Sequence, residues 1–327
     1  MCLQRIRRFH FARDPEEALS LLDAYGGRGA LLAGGVDLLR MPPRTVEGLI
    51  DITRIGLSYV WGAQGGLVIG ATTTLTDVLL SREAAVYAGG ILAEVLRQVA
   101  VPPLRNMATL GGAVVSAHPW ADIPTALVAL GAEARWRGEK EGRAPLEELY
   151  RGAFRGLFRT ALLTEIVLPP WDGAFAYAKI GRSQYDIALL NACCGVGIAD
   201  GTVVWARVAV GARPWRGEGV SWGGEGLVGR KTDSALWGEV GGLVENWSEV
   251  GEDRRAGGGW GAPPGGKASA AMKRGRTKPA RWYRMRGRGG WCGGGADGGV
   301  TGAGGGGGVG GWGGGGWGGG VGGGGGC

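Results

Sequence analysis

Histidine is nearly missing from this 327-residue chain: His10 and His118 are the only two. They complete no metal-ligand set. The five cysteines, Cys2, Cys193, Cys194, Cys292 and Cys327, form no CxxC pair, so neither a zinc site nor a disulfide framework is expected. Cys193 and Cys194 stand in the apolar run Ala188 to Val196 and read as small buried residues. No stretch reaches the roughly 18–20 apolar residues of a membrane span. No secretory apolar segment follows Met1 either, because Arg5, Arg7 and Arg8 come first. The chain therefore reads as soluble and cytoplasmic. GxGxxG is lacking from the non-repetitive part and GxxxxGK[ST] from the whole, which argues against a Rossmann fold and a P-loop nucleotidase.

Phe and Ile vanish after Gly211, and Leu227, Leu236 and Leu243 are the only leucines left. Glycine rises instead: 26 of the 71 lie in residues 1–211 and 45 beyond. Such a segment has little to bury against an ordering entropy of roughly 1–2 kcal/mol per residue. Lys+Arg minus Asp+Glu is 21 − 20 = +1 up to Gly211 and 15 − 9 = +6 after it, so the overall +7 belongs to the tail. It says little about what the folded part binds. Residues 212–327 are expected to be a disordered Gly-rich tail, or the product of a reading-frame shift between about Val208 and Trp215 in a GC-rich gene.

Up to Val210 the pattern is mixed α and β. Asp14 as cap, Pro15 and Glu17 predict a helix that ends at Gly26-Gly27. Strands are expected at Ala30–Ala33, around Leu49–Ile52 and in a hairpin of Tyr59–Trp61 with Leu67–Ile69. Thr74–Ser81 and Ile91–Ala100 read as helices, the second stopped by Pro102-Pro103. Thr109–Val115 reads as a strand with a glycine turn, and Asp122 as the cap of a helix through Leu130. Ala132–Trp136, Glu165–Leu168 and Phe175–Lys179 read as strands, and Asp200-Gly201 joins a hairpin.

Two glycine corners carry the functional signal: Ala33-Gly34-Gly35-Val36-Asp37-Leu38 and Thr109-Leu110-Gly111-Gly112. Glycine lets successive amides converge on an anion without a Cβ clash, so two such corners are suited to the two phosphates of a dinucleotide. Thr109 adds a hydroxyl donor.

These corners occur in a longer ordered set. Phe9-His10-Phe11 opens it. Ile69-Gly70-Ala71-Thr72-Thr73, Val101-Pro102-Pro103-Leu104-Arg105-Asn106 and His118-Pro119-Trp120-Ala121-Asp122-Ile123-Pro124 follow, then Tyr177-Ala178-Lys179-Ile180-Gly181-Arg182 with Asp186-Ile187-Ala188. The set resembles the FAD-binding medium subunit (subunit M) of the xanthine dehydrogenase and carbon monoxide dehydrogenase family of molybdenum hydroxylases. The resemblance covers about residues 6–211. It implies an α+β fold: a two-lobed PCMH-type FAD-binding domain at 1–172, with lobes at about 1–56 and 57–172. The start of an incomplete α/β C-terminal domain follows at 173–211, and then the tail at 212–327.

The resemblance implies FAD as cofactor, wrapped at its pyrophosphate by Ala33, Gly34, Gly35, Val36, Asp37, Leu38, Thr109, Leu110, Gly111 and Gly112. Asp37 is expected to turn its carboxylate to backbone donors, since facing a pyrophosphate would be repulsive. Asp122 is either a helix cap or a partner of the ribose or ribityl hydroxyls. Lys179 either lies near the flavin ring, favouring its reduced anionic form, or is a solvated strand-end lysine. The family has Asn where Ala113 and Ser116 stand, and Ser at His118; Ser116 retains one donor. The implied role is electron transfer from iron–sulfur clusters to NAD, oxygen or a quinone. The implied partners are a molybdopterin-containing large subunit and an iron–sulfur small subunit. No catalytic residue or metal ligand is expected in this chain, nor nucleic-acid binding. The other readings are a Gly/Arg/Trp-rich nucleic-acid-binding protein and a free-standing flavin oxidase.

Overall fold

The computed structural model describes residues 6–40, 44–118, 120–139, 141–152, 154–183, 185–212 and 221–232. Pro119, Trp215–Gly219 and residues 233–327 lie outside the described residues.

The first element pair follows local rules. Strand β1 (Arg8–Phe11) leads to helix α1 (Pro15–Ala24). The Asp14 carboxylate accepts the Glu17 N–H at 2.7 Å, with Pro15 in the first turn. Glu17, three residues after the cap, reaches back to accept from the Arg13 N–H at 2.8 Å. Left-handed Gly26 and Gly27 (φ 53° and 82°) end the helix region. Strands β2 (Gly29–Leu32) and β3 (Gly48–Asp51) complete a parallel sheet in the order β1-β3-β2. Helix α1 buries Ala18 and Leu22 with Ile50 and Ile52.

A second sheet comprises β4 (Val60–Ala63), β5 (Gly66–Gly70), β6 (Glu133–Arg137), β7 (Gly142–Pro145) and β8 (Leu162–Leu168), all antiparallel in the order β4-β5-β8-β6-β7. The hairpin turn is shorter than expected. Gln64 and Gly65 alone make it, both left-handed (φ 48° and 83°), as a two-residue turn demands.

Short helices fill the space between β5 and β6: α2 (Leu75–Leu80), α3 (Arg82–Val86), α4 (Ile91–Leu96), α5 (Pro102–Met107), α6 (Leu110–Ser116) and α7 (Asp122–Ala129). Pro102-Pro103 open a helix rather than only closing one, since proline suits a first turn. The expected strand over Thr109–Val115 is helix α6, capped by Thr109. Tertiary contacts override its two glycines there, as described below. Helices α8 (Leu146–Arg151) and α9 (Phe154–Leu157) precede β8.

The third sheet is antiparallel, β12-β11-β10-β9, with β9 (Ala174–Ile180), β10 (Leu190–Ala199), β11 (Thr202–Ala212) and β12 (Ser221–Gly223). Asp200 and Gly201 (φ 50° and 73°) turn its central hairpin, as the sequence predicts. The expected end of folded chain at Gly211 is too early. Strand β12 pairs with β11, and Leu227 is buried with Leu190, Val203 and Val208.

One apolar core spans the last two sheets. Leu67, Ile69, Leu110 and Leu127 pack in the same cluster as Phe175, Tyr177, Cys193 and Ala209. Arg207 of β11 strengthens this join, donating to the carbonyls of Ala129 and Val128 at 3.0 Å each and to Glu147 at 2.6 Å. A cation at the C-terminal carbonyls of α7 is favourably placed against the helix dipole.

Candidate functional site

The first corner follows β2, where Gly35 takes φ 69° and the chain turns back on itself. Among the described residues, no N–H from Ala33 through Leu38 donates to a protein acceptor. The next two do: Leu39 N–H to the Gly35 carbonyl (3.0 Å) and Arg40 N–H to the Asp37 carbonyl (3.1 Å). A half-buried stretch of amides without a partner among the described residues is unusual, because main-chain donors in folded chains normally find partners.

The second corner differs from expectation. It stands at the start of α6, not at the end of a strand, and its amides are committed internally. Leu110 donates to the Thr73 carbonyl and Gly111 to that of Ala71, both at 2.9 Å. Gly112 donates to Thr109 Oγ1 at 3.1 Å, and Ala113 to the Thr109 carbonyl at 3.0 Å. Gly111 is required by close packing, since a Cβ there would lie 2.6 Å from the Ala71 oxygen. Thr109 Oγ1 accepts a bond and keeps its own proton to donate.

The two corners meet. A Cβ on Gly34 would lie 1.8 Å from the Met107 carbonyl oxygen, two residues before Thr109. At the far end of α6, Ala117 turns left-handed (φ 44°) and delivers His118, whose Nε2 lies 2.9 Å from Asp37 Oδ2. His118 stacks on Trp120 with ring centroids 4.9 Å apart and 13° between planes. Arg40 donates to Asp37 Oδ1 at 3.2 Å. Burial alone would raise the Asp37 pKa. The Ser116 hydrogen bond, the charge and hydrogen bond of His118 and the Arg40 bond outweigh it and hold the carboxyl below its ordinary value. Asp37 thus faces the side-chain donors His118 and Arg40 rather than the backbone donors expected for it.

Asp122 and Lys179 also come together, and neither the helix cap nor the solvated lysine is found. Asp122 is the first residue of α7, after Ala121, and caps nothing with its side chain. Its carboxylate accepts from Tyr177 Oη (2.5 Å), Lys179 Nζ (2.8 Å) and Asn191 Nδ2 (3.0 Å). Lys179 is 4% exposed, not solvated, and also donates to the Gln98 carbonyl at 2.9 Å. Asn191 Nδ2 reaches the Trp120 carbonyl at 3.1 Å, while its Oδ1 is buried without a donor. Burial, then the charge and hydrogen bond of Asp122, push the Tyr177 phenol pKa far up. This cluster ties β9 and β10 to the start of α7. Tyr177 and Asn191 were not named as site residues from sequence. The available signal was an Asn inside the apolar run Leu189 to Ala192.

Residues 4–171 match the family described as the FAD binding domain in molybdopterin dehydrogenase, and the chain belongs to that family. Among individual proteins, it is 29% identical over 209 residues to the carbon monoxide dehydrogenase medium chain of Hydrogenophaga pseudoflava, covering 62% of this chain and 73% of that one. It is 29% identical over 240 residues to caffeine dehydrogenase subunit beta of a Pseudomonas species, covering 68% of this chain and 79% of the other. Its fold is similar to that in reconstituted CO dehydrogenase from Oligotropha carboxidovorans, with TM-score 0.73, 27% identity, and 84% of this chain and 98% of that chain covered. Among the described residues no helix is long and apolar enough to cross a membrane.

FAD is the cofactor of this family, and the first corner fits its diphosphate: unpaired amides on a glycine turn are suited to an anion. The second corner fits through the Thr109 hydroxyl, since its amides are spent.

Proposed function

We propose that this chain is the flavoprotein subunit of a multi-subunit molybdenum hydroxylase, assembling with a molybdopterin-containing large subunit and an iron–sulfur small subunit. The observation that carries the reading is the junction of the two corners, with the unpaired Ala33–Leu38 amides set against the Met107–Thr109 backbone. The similarity to medium chains and a beta subunit of dehydrogenases supports the assembly.

When bound, FAD supplies electron exchange between the iron–sulfur carriers and a final acceptor, which we take to be NAD, oxygen or a quinone. This chain's residues do the holding. The Ala33–Leu38 amides and the Thr109 hydroxyl bind the diphosphate, and Gly35 supplies a turn that L side chains rarely adopt. His118, Ser116 and Arg40 keep the Asp37 charge directed away from it. Leu110 and Gly111 act by fixing α6 to the Thr73 and Ala71 carbonyls, and Gly112 by closing the turn on Thr109, rather than by donating to the ligand. Asp122 and Lys179 lock the third sheet against α7 and the Gln98 carbonyl. We read 1–172 as the FAD-binding domain, with lobes meeting near residue 56, and the chain from 173 as a second domain.

Purification of the full chain with its accompanying subunits tests the reading. The expected result is absorbance near about 450 nm, with FAD released on denaturation. A folded but colourless preparation that releases no FAD overturns it. Copurified molybdenum and iron–sulfur clusters separate this function from a free-standing oxidase. Mixing the reduced complex with NAD, oxygen and a quinone in turn identifies the acceptor.

A further inference from the structure

Strand β1 is the outer strand of the first sheet and, among the described residues, pairs with β3 alone. In a parallel pair, the amide and carbonyl of one residue face the neighbouring strand and those of the next face away. Arg8 donates to the Glu47 carbonyl at 3.3 Å and Ala12 to the Asp51 carbonyl at 3.0 Å. The even-numbered residues therefore face β3. The amides and carbonyls of Phe9 and Phe11 point outward, where no described strand meets them. Their side chains are exposed too, at 47% and 63%, with ring centroids 4.9 Å apart. His10, on the opposite face, is hydrogen-bonded to Tyr25 at 2.8 Å.

An open row of amides and carbonyls is a template for another strand, and the charges around it decide which strand is accepted. Arg7, Arg8 and Arg54 are exposed and have no ion pair among the described residues. Arg54 lies over the Phe11 ring, 6.0 Å from its centroid. Carboxylates on the adjoining elements are engaged elsewhere: Glu17 by Arg13, Glu47 by Arg28 and Asp51 by Thr53. A second copy of the chain would set these arginines against their own kind. Residues 212–327, at 15 − 9 = +6, are repelled in the same way.

We propose that the β1 edge is a docking site for an extended, acidic segment of an accompanying subunit, which joins the first sheet as a further strand. Its backbone pairs with the outward groups of Phe9 and Phe11, its apolar side chains cover the two rings, and its carboxylates meet the arginines. The proposal rests on the multi-subunit reading above, and not on the flavin site.

Amide hydrogen exchange on the full chain, alone and in complex with the purified iron–sulfur and molybdopterin-containing subunits, provides the test. In the free chain the Phe9 and Phe11 amides should exchange fast and those of His10 and Ala12 slowly. In the complex, exchange at Phe9 and Phe11 should slow by about tenfold or more. Unchanged exchange at both, within an intact complex, overturns the edge docking alone. A native chain that binds neither subunit overturns it together with the multi-subunit reading. Arg54→Glu, at an exposed position, should leave Tm unchanged and weaken subunit binding by about tenfold, with a smaller loss at high salt. Phe11→Pro removes an outward N–H while sparing the bonds to β3, and should weaken binding at least as much. Native affinity in both variants overturns the proposal. So does a dimer of the isolated native chain that Phe11→Pro dissociates, since a second copy would then be the occupant.

Discussion

Gly34 and Met107 touch through their backbones, leaving no room for even one methyl group between the corners: a Cβ on Gly34 would lie 1.8 Å from the Met107 oxygen and 2.7 Å from its carbonyl carbon. Neither neighbour is a flexible side chain. Gly34→Ala should therefore pry the corners apart, lowering stability by about 1–3 kcal/mol or more and abolishing FAD retention. Gly156→Ala is the matched control, because no heavy atom lies within 4 Å of its added methyl and the position is helical. That change should stay within about 1 kcal/mol. Urea unfolding and bound-FAD content measure both. A Gly34→Ala chain that keeps native stability and flavin would refute the contact.

Asp122 and Lys179 form a buried pair, 8% and 4% exposed at their side chains. Removing either partner strands the other's charge, so Asp122→Asn and Lys179→Met should each cost about 3–5 kcal/mol. The double variant should cost less than the sum, because the stranded charge is then gone. Additive losses in urea unfolding would mean that the two do not interact.

The Thr72 hydroxyl is buried without a partner. It sits between Ala71 and Thr73, whose carbonyls hold the second corner. Thr72→Val replaces the hydroxyl with a methyl group of similar size. Stability should stay level or rise by about 1 kcal/mol, since an unpaired buried hydroxyl is unfavourable. A marked fall in Tm would show that this hydroxyl has a partner after all.

Alkaline pH should weaken the fold. Burial raises the Cys193 thiol above its ordinary 9.0 and pushes Cys194 up to about 12. Burial likewise raises the phenols of Tyr59, Tyr87, Tyr150 and Tyr177 above 10.0, with Glu165 adding to the first and Asp122 to the last. The unfolded chain loses these protons at lower pH than the folded one. Above about pH 9 it therefore binds fewer protons, and stability falls as pH rises. Tm should hold between about pH 7 and 8.5 and decline above about pH 9.5. Phenolate absorbance should develop together with unfolding. A Tm independent of pH in that window would contradict the burial of these groups.

Local chemistry made much of this fold legible. Asp14 and Pro15 open α1 and Gly26-Gly27 close it, and Asp200-Gly201 turns its hairpin by its own left-handed pair. Helix α6 was hidden because Gly111, Gly112, Val114 and Val115 are poor helix formers taken alone. It exists because the Ala71 and Thr73 carbonyls, distant in sequence, accept its first amides. The glycine corners were visible as a pair, but which of them keeps free amides depended on those same carbonyls. The partners of Asp122 were invisible for a related reason: Tyr177, Lys179 and Asn191 reach it from strands far along the chain. Leu227 belongs to the core despite its glycine-rich surroundings, because β12 brings it back over Val203 and Val208.

The shared core of the second and third sheets makes a scissor cut between them damaging. Ending the polypeptide after residue 172 would strip Phe175, Tyr177, Cys193 and Ala209 from the core cluster that holds Ile69 and Leu127, and would leave the Ala129 carbonyl without Arg207. Ending it at 211 would spare those contacts yet open the opposite face, where Leu227 shields Leu190. A shortened version suitable for handling should therefore retain everything through Thr232.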